Sequence, residues 1–342
     1  MKQFQPFKSP GADGIYPALL QSGLEILTPH ILRLYRASLA MGHIPEVWRH
    51  INVVFIPKAG RTVYATPKDF RPISLTSFLL KTMEKILDRH IRDTYITKFP
   101  MCSYQFAYQA GKSTDTAHFM LTSKIRKALT NKEIALVAIL DIEGAFDNTS
   151  LEAIKEAAEK HGIDEICCRW IQAMLSSRII KSSLYDKEAM VKATRGCPQG
   201  GVLSPLLWCL VMDELLTQLN EQGIYAQGYA DDAAICILGK HQETVSELMQ
   251  TALKHTEEWC KRKGLRVNPG KTSLIPFTNK RKLEAMVEPM MFGETITFKK
   301  ETKYLGVIYD SKLTWNAHLS YVTRKAKNTM WTCLRAYSKN WG

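Results

Sequence analysis

Two adjacent carboxylates, Asp231 and Asp232, stand between two strand-like stretches of the chain. The β-prone residues 223–228 precede them, and the apolar run 233–238 follows them. Two such stretches meeting at a polar pair predict a β-hairpin with the carboxylates at its turn. Adjacent carboxylates repel each other unless a cation neutralises them, and hard oxygen ligands suit Mg²⁺. The pair therefore indicates either a metal site or a solvated turn, and the local sequence alone favours the turn.

A third carboxylate, Asp141, ends the continuous apolar run 134–140, which is typical of a buried strand. An acidic group at the end of a buried strand is unfavourable unless it is paired or bound to a metal. Asp141 could instead cap the next helix, but residues 147–150 already supply caps for a helix over 151–159. Asp141 is therefore a candidate for a second metal ligand.

Helices and short strands must position these carboxylates, and hydrophobic periodicity predicts where they lie. The predicted strands cover 51–56, 134–140, 233–238, 274–277, 295–298 and 304–309, and the predicted helices cover 78–91, 151–159, 204–216 and 242–263. The helical pattern from Leu19 to Leu34 should be interrupted at Pro29. Ser204 should cap the helix whose first turn contains Pro205.

The composition is that of an ordinary globular protein with a basic surface. The chain has 342 residues, is 45% hydrophobic and 23% charged, and carries a formal net charge of +13. This charge favours a polyanionic partner, nucleic acid rather than membrane, although a merely solvated basic surface is the alternative. No apolar run approaches the roughly 20 residues of a membrane span, and the N-terminus lacks a signal-peptide pattern. The eight cysteines show no C-x-x-C spacing, so reduced thiols in an intracellular protein are expected.

Several loops offer further binding groups, each with a plainer alternative. Lys58 and Arg71 could hold a triphosphate, although two exposed loop cations are the simpler interpretation. The glycine-rich segment 196–205 could approach a ligand closely, or simply precede a buried helix. Residues 104–114 end like a P-loop, but Phe106 stands where that motif requires glycine, so a Walker A site is excluded. The aromatic residues of this segment could follow a nucleic-acid strand or belong to the core.

Eight motifs follow one another along the chain, at residues 9–14, 70–75, 105–106, 141–147, 196–205, 229–232, 270–272 and 304–306. Taken in this order, they resemble a reverse transcriptase of the non-LTR (LINE-type) retrotransposons, with the jockey-like group as a candidate subgroup. Each motif is weak alone, but eight in the same order along nearly the whole chain are highly specific. Ala12 and Ala107 depart from the proline and glycine that the family often has, which matters little for chemistry.

The resemblance implies an α+β, right-hand polymerase fold whose antiparallel palm sheet is backed by helices. Residues 1–133 would form the fingers region, 134–308 the palm with the catalytic hairpin and primer grip, and 309–342 the start of a truncated thumb. The absence of endonuclease, Cys/His-knuckle and RNase H segments suggests a fragment, a decayed copy or one domain of a polyprotein. We therefore expect competent palm chemistry with poor processivity.

The implied reaction is RNA-directed DNA synthesis by two-metal phosphoryl transfer, with two Mg²⁺ ions and Mn²⁺ able to substitute. By resemblance, Asp141 and Asp231 bridge both ions, Asp232 supports the first, and the backbone carbonyl of Ile142 completes one coordination shell. Lys271 is the candidate general acid for the pyrophosphate leaving group.

The resemblance also assigns substrate contacts. The residues implied for the incoming dNTP are Lys58, Arg71, Gly144, Ala145, Phe146 and Gln199, and those implied for nucleic acid are Gln105, Tyr229, Leu305 and Gly306. Lys58 and Arg71 would grip the triphosphate, and Phe146 would exclude a 2′-hydroxyl. The partners would be an RNA template, a DNA primer and dNTPs, with no membrane partner. The resemblance implies action in the nucleus, and it does not specify the oligomeric state.

Two other functions are compatible with parts of this pattern. One is a group II intron-type maturase or another template-directed polymerase, although Ala230 favours reverse transcriptases over RNA-copying viral enzymes, which usually have glycine there. The other is a domesticated, non-catalytic RNA-binding remnant. Loss of a catalytic aspartate would favour the remnant, and all three aspartates are present.

Overall fold

Helices and short strands alternate along the chain. The computed structural model describes residues 1–58, 60, 63–184, 187–280, 283 and 285–337. Its strands are β1 (His50–Pro57), β2 (Phe70–Leu75), β3 (Ile134–Asp141), β4 (Ile179–Leu184), β5 (Lys187–Lys192), β6 (Tyr225–Tyr229), β7 (Asp232–Gly239), β8 (Ser273–Phe277), β9 (Met290–Met291), β10 (Glu294–Thr295), β11 (Glu301–Tyr304) and β12 (Val307–Asp310). Its helices are α1 (Pro17–Ser22), α2 (Leu24–Met41), α3 (Glu46–Arg49), α4 (Phe78–Ile91), α5 (Thr114–Thr130), α6 (Ala145–Asn148), α7 (Leu151–Lys160), α8 (Glu165–Ser176), α9 (Ser204–Glu221), α10 (Gln242–Lys263) and α11 (Asn316–Ala336).

The chain divides into two compact units whose segments alternate in sequence. The first unit comprises Met1–Tyr108, Glu143–Leu215 and Cys260–Leu265. The second unit comprises Gln109–Ile142, Leu216–Trp259 and Arg266–Gly342. Each unit contains a four-stranded sheet of its own.

The sheet of the second unit is built on the apolar run that precedes Asp141. Its strand order is β6-β7-β3-β8, and every neighbouring pair is antiparallel. Residues 134–140 are buried throughout, which is why this strand lacks the polar alternation of a half-exposed one. Helix α5 packs against β3, β6 and β7. This arrangement confirms the predicted α+β class with an antiparallel sheet backed by a helix.

The sheet of the first unit is mixed and has the order β2-β1-β4-β5. Strand β1 pairs antiparallel with β2 and parallel with β4. Buried tryptophans fill the adjoining helical core, and the indole N–H of Trp170 donates a hydrogen bond of 2.9 Å to the hydroxyl of Ser38.

Within the described ranges, no helix is both long and apolar enough to cross a bilayer.

Proline does not interrupt the early helical pattern where the sequence predicts. Helix α2 contains Pro29 and continues to Met41, and the break lies instead at Gly23, between α1 and α2. The predicted interruption is therefore wrong. Proline removes one backbone hydrogen bond, but the buried residues Tyr35 and Ser38 anchor the rest of the helix to the core.

The predicted strand over 304–309 is also wrong, because the chain reverses at its centre. Strands β11 and β12 form a hairpin, with Tyr304 paired to Val307. The turn residues Leu305 and Gly306 have φ angles of +43° and +89°. Positive φ at both central residues is typical of the tightest hairpin turns, and Gly306 supplies it without strain. The predicted strand over 295–298 likewise shrinks to β10, which ends at Thr295.

A distant carboxylate accepts the two backbone N–H groups that directly precede α9. The buried side chain of Glu84 accepts hydrogen bonds from the N–H groups of Val202 (2.6 Å) and Leu203 (2.9 Å). The hydroxyl of Ser204 donates instead to the carbonyl of Pro198 at 2.8 Å. Burial raises the pKa of Glu84, and the two backbone hydrogen bonds oppose that rise. The predicted Ser204 cap is wrong, because Ser204 is itself the first residue of α9 and its hydroxyl donates to Pro198.

His161 and Asp213 form a buried pair in the first unit. Nε2 of His161 lies 3.2 Å from a carboxylate oxygen of Asp213, and Nδ1 lies 2.9 Å from the carbonyl oxygen of Ala157. Burial disfavours the charged imidazolium, but the two acceptors outweigh it and raise the pKa of His161 above its ordinary value. The charged pair therefore stabilises the folded chain at low pH.

The pH dependence of unfolding should report this pair. Its contribution is complete below the unfolded-state pKa of about 6.5 and is lost as the pH rises through the higher folded-state pKa. Relative to the native chain, His161→Gln should lower the free energy of unfolding by about 2 kcal/mol at pH 6. This difference should shrink as the pH rises above neutrality. Urea titrations at several pH values measure it, with the exposed-site variant His30→Gln as control. A difference that stays constant with pH would contradict the assignment.

Candidate active site

Three carboxylates meet at one end of the sheet in the second unit. Asp141, the last residue of β3, lies directly opposite Asp232, the first residue of β7. Asp232 in turn pairs with Tyr229 across the β6–β7 hairpin, so Asp231 lies in the turn. Ala230 adopts the left-handed conformation with φ +54°, which lets the turn reverse over two residues. The predicted hairpin is confirmed, and its register brings together carboxylates that are 90 residues apart in sequence.

Negative charge is concentrated at this end of the sheet. Burial raises the pKa of Asp232 to about 6, and the charges of Asp231 and Asp141 add to the rise. A carboxylate whose ionisation is opposed in this way gains most from a nearby cation. An all-oxygen donor set is also the kind that Mg²⁺ or Mn²⁺ prefers. The residues therefore fit a divalent metal.

Lys271 supplies a cation to one of these carboxylates. Its ammonium group lies 2.7 Å from a carboxylate oxygen of Asp141. The turn that carries Lys271 is tied to β3, because the backbone N–H of Asn268 donates to the carbonyl of Asp141 at 3.1 Å. Both side chains of the ion pair are partly exposed, so the pair contributes about 0–1 kcal/mol to stability. Its effect is to place a proton donor beside Asp141.

Asn268 was missed as a positioning residue by the sequence analysis. The backbone N–H groups of Lys271 and Thr272 donate to the carbonyl of Asn268 at 3.2 and 3.0 Å. The signal was visible, since Asn-Pro-Gly is a turn sequence. The sequence gives no sign of the backbone pairing that brings this turn next to Asp141.

A different trio has its potential ligand atoms within 4.8 Å of one another: His90, Asp164 and Cys167, in the first unit. The carboxylates of Asp141, Asp231 and Asp232 are not held that closely. Asp164 already caps α8 through the N–H of Cys167 at 2.9 Å and accepts the hydroxyl of Tyr95 at 2.6 Å. Burial raises the pKa of the Cys167 thiol to about 12, with a contribution from Asp164, which disfavours the thiolate that binds metal. A structural role accounts for this trio.

The residues assigned to the nucleotide lie in the first unit. Strands β1 and β2 pair Ile56 with Arg71, and the backbone N–H of Lys58 donates to the carbonyl of Asp69 at 2.9 Å. This pairing places Lys58 and Arg71 at the same end of the β1–β2 ladder. Arg71 is exposed and Lys58 is half-buried. Both cations are therefore placed where an anion could reach them.

The loop that carries Gln199 packs against β2. The backbone N–H of Ser74 donates to the carbonyl of Gln199 at 2.7 Å, and the side-chain amide of Gln199 donates to Asp147 at 2.9 Å. Gln199 thus links the β2 strand, which carries Arg71, to the segment just after Phe146. The structure brings these sequence-predicted residues into one neighbourhood within the first unit.

Phe146 is fixed by a ring contact and by a backbone hydrogen bond. Gly144, with φ +58°, directly precedes the short helix α6, whose first residue, Ala145, is buried. The ring centroids of Phe146 and Trp208 lie 6.2 Å apart. The backbone carbonyl of Phe146 accepts a hydrogen bond from the N–H of Cys197 at 2.5 Å. A side chain at Gly196 would collide with the carbonyl of Asp147, so glycine is required for this close packing. The backbone that carries Phe146 is therefore fixed.

Arg178 is a second positioning residue that the sequence analysis missed. Its buried guanidinium group donates hydrogen bonds to the carbonyls of Leu175 (2.8 Å), Arg195 (2.9 Å) and Gly196 (2.5 Å). The fork geometry of arginine suits several carbonyls at once. Arg178 thereby holds the start of the glycine-rich loop. No local signal marks it, because its partners lie up to 18 residues away.

The residues assigned to nucleic acid differ in accessibility. Gln105 is buried in the first unit together with Phe106 and Ala107, which follow it. The assignment of Gln105 to nucleic acid stays a prediction. In the second unit, Tyr229 and Leu305 are half-buried and Gly306 is exposed.

The chain is similar to known proteins along most of its length. The family model for reverse transcriptase (RNA-dependent DNA polymerase) matches residues 56–309. The Pol polyprotein of the type-1 retrotransposable element R1 from Bradysia coprophila is 28% identical over 340 residues, which cover 98% of this chain and 33% of that protein. The RNA-directed DNA polymerase of the mobile element jockey from Drosophila melanogaster is 26% identical and is matched over 92% of this chain and 35% of that protein.

Solved structures share the fold at low identity. Telomerase from Candida tropicalis, in complex with a fragment of telomeric RNA, superposes with a TM-score of 0.55 at 13% identity, covering 84% of this chain and 47% of that one. The truncated apo enzyme gives a TM-score of 0.53 at 11% identity, covering 80% and 55% of the two chains. At this identity the likeness shows the fold alone, and it agrees with the right-hand architecture expected from the sequence.

These similarities extend over the β6–β7 hairpin and both sheets. The chain spans about a third of the length of the curated relatives it matches, from 33% to 35% for the two proteins named. The family match itself covers well over half of the chain and includes Asp141, Asp231 and Asp232. The chain therefore belongs to the reverse transcriptase (RNA-dependent DNA polymerase) family, and its relatives are enzymes of non-LTR retrotransposons.

Proposed function

We propose that the chain copies RNA into DNA by adding deoxynucleotides to the 3′-hydroxyl of a primer. The observation that carries this proposal is the register of β3 with β7, which sets Asp141 opposite Asp232 with Asp231 in the adjoining turn. All three carboxylates are retained, which argues against a remnant that only binds RNA. Membership of the reverse transcriptase family supports the choice of RNA as template.

Asp141, Asp231, Asp232 and the backbone carbonyl of Ile142 are the groups that would hold two Mg²⁺ ions. Bound there, the ions would activate the primer hydroxyl and neutralise the triphosphate and the leaving pyrophosphate. Asp232, whose pKa is raised to about 6, would recover full ionisation beside a cation.

Lys271 would change partner during the reaction. Its ammonium group neutralises Asp141 at 2.7 Å. With a metal ion held by Asp141, that ammonium group would be able to donate a proton to the leaving pyrophosphate. The tether through Asn268 would keep it within reach.

Six residues would contact the nucleotide. Lys58 would act as a point charge and Arg71 as a fork on the triphosphate. Gly144 and Ala145 would bring the backbone close to the nucleotide, and Gln199 would shape its pocket. Phe146 would exclude a ribose 2′-hydroxyl.

The nucleic-acid partners would be an RNA template and a DNA primer. We assign residues 1–133 to the fingers, 134–308 to the palm and 309–342 to the start of the thumb, of which 338–342 lie outside the described residues. Leu305 and Gly306 would contact the primer from the β11–β12 turn, and Tyr229 would contact it from the catalytic hairpin. Relatives encoded by retrotransposons suggest action in the nucleus.

Primer extension tests the proposal directly. The full chain is incubated with a poly(rA)/oligo(dT) hybrid, Mg²⁺ and dTTP, and parallel reactions replace dTTP with UTP. Extension with dTTP and little extension with UTP is the expected result. Tight, salt-dependent hybrid binding without extension would instead favour an RNA-binding remnant, and extension with UTP alone would favour an RNA-copying polymerase.

A further inference from the structure

A buried side-chain amide lies in β6, the first strand of the catalytic hairpin. Gln227 lies in β6, two residues before Tyr229, and is fully buried. Its side-chain nitrogen lies 3.0 Å from the hydroxyl of Tyr304 and 3.2 Å from the carbonyl of Ala117, and its oxygen accepts the hydroxyl of Tyr225 at 2.6 Å. Burial of an amide is unfavourable unless its groups are paired, and both N–H groups of this one are paired. The network is therefore complete and specific.

Tyr304 carries this network to a second hairpin. It is the last residue of β11 and directly precedes the turn at Leu305 and Gly306. The side chain is 1% exposed. Burial raises the pKa of Tyr304, so its hydroxyl stays protonated. One hydrogen bond thus joins the strand that leads into the catalytic turn to the strand that leads into the β11–β12 turn.

His118 of α5 anchors the same turn from another side. Its Nε2 lies 3.4 Å from the carbonyl oxygen of Leu305, and its Nδ1 lies 2.8 Å from the hydroxyl oxygen of Tyr309. The neutral tautomer with its proton on Nε2 satisfies both contacts, donating to the carbonyl and accepting from the hydroxyl. Burial lowers the pKa of His118, which agrees with a neutral ring. The imidazole also meets the ring of Tyr304 edge-on, with centroids 5.7 Å apart.

The anchored turn contains backbone strain. Leu305 has φ +43°, in the left-handed region that a branched side chain rarely adopts. Such a conformation persists only where the surroundings determine it, and it is found disproportionately at functional sites. Tyr304 precedes this residue and His118 holds its carbonyl, so the two anchors act on the same peptide segment.

We propose that Gln227, Tyr304 and His118 are positioning residues that fix the Leu305–Gly306 turn relative to the catalytic hairpin. This inference rests on the proposed function, in which that turn contacts the primer. The three side chains touch no substrate themselves. They set the distance between the primer-contacting turn and Asp231 and Asp232, so they determine how well the primer 3′-hydroxyl is aligned for attack. A misplacement near 1 Å can lower a rate by as much as about 100-fold.

The decisive variant is Tyr304→Phe, which removes only the hydroxyl that Gln227 reaches. Tyr225→Phe is its matched control, because it removes a different hydroxyl from the same amide without touching β11. Single-turnover addition of dTTP to a pre-bound hybrid, at saturating nucleotide, should slow about tenfold in Tyr304→Phe and less than about twofold in Tyr225→Phe. The Kd for the hybrid and the melting temperature should change similarly in both variants. Equal loss of rate in both, or an unchanged rate in Tyr304→Phe, would overturn the proposal.

Hydrogen exchange provides a readout that does not need turnover. Amide exchange over residues 304–309 should accelerate in Tyr304→Phe and in His118→Gln but not in Tyr225→Phe. Unchanged exchange in the first two variants would also overturn the positioning role. A native chain that exchanges as expected but extends no primer would contradict the proposed function and leave the anchoring of the turn intact.

Discussion

Asp231→Asn should abolish RNA-templated primer extension while the chain still binds the hybrid. The substitution preserves shape but replaces the anionic group proposed to hold the metal ions with a neutral amide in the β6–β7 turn. We expect a rate loss of at least about 10³-fold, equivalent to about 4 kcal/mol of transition-state stabilisation. Extension of oligo(dT) on poly(rA) with dTTP and Mg²⁺ measures the loss.

The same variant should fold at least as well as the native chain. The charge of Asp231 contributes to the raised pKa of Asp232, so its removal relieves repulsion in the folded state. An unchanged or higher melting temperature would therefore separate loss of chemistry from loss of structure. Glu301→Gln is a suitable control, because it removes one exposed negative charge from β11. Extension that survives Asp231→Asn would refute the assignment of the catalytic centre.

The sequence predicts the elements that depend on local pattern. Strand β3 follows from an unbroken apolar run, and the β6–β7 hairpin follows from two β-prone stretches around a polar pair. Helix α4 occupies the predicted range 78–91. In these segments the side-chain period alone decides between helix, strand and turn. The candidate carboxylates were visible for the same reason, since a charge at the end of a buried strand breaks the local pattern.

Contacts remote in sequence decide what the sequence could not predict. Glu84 accepts the N–H groups of Val202 and Leu203 across more than 100 residues, and the hydroxyl of Ser204 donates to Pro198 instead of capping α9. Arg178 and Gln227 support their sites through backbone carbonyls and hydroxyls that only the fold brings near. None of these residues carries a motif. Their roles arise from burial and pairing, which require the three-dimensional arrangement.

The sequence also mispredicts secondary structure where the backbone conformation departs from what the side-chain pattern suggests. Residues 304–309 alternate like a strand, yet Leu305 and Gly306 reverse the chain. A glycine between β-prone residues fits either a bulge or a turn, and the partners of the flanking tyrosines select the turn. The strain at Leu305 is thus the consequence of tertiary contacts that the residue itself does not encode.

Phe146→Val should let the chain incorporate ribonucleotides. The ring of Phe146 packs 6.2 Å from Trp208, and its carbonyl is tied to the N–H of Cys197, so the native side chain cannot retreat from a bulkier sugar. Valine would remove the outer part of this wall and leave the backbone in place. The ratio of kcat/KM for dTTP over UTP on poly(rA)/oligo(dT) should fall at least about tenfold, or about 1.4 kcal/mol, mainly through a gain with UTP.

Phe146→Tyr is the matched control for the loss of ring volume, because it keeps the aromatic wall. Its preference for dTTP should stay close to that of the native chain. Steric exclusion also predicts that UTP gains through both kcat and KM, since a displaced sugar misaligns the reacting phosphate as well as binding poorly. If Phe146→Val keeps the native preference for dTTP at full activity, another group must exclude the 2′-hydroxyl. If Phe146→Val loses activity with dTTP and gains none with UTP, Phe146 supports the nucleotide without selecting the sugar.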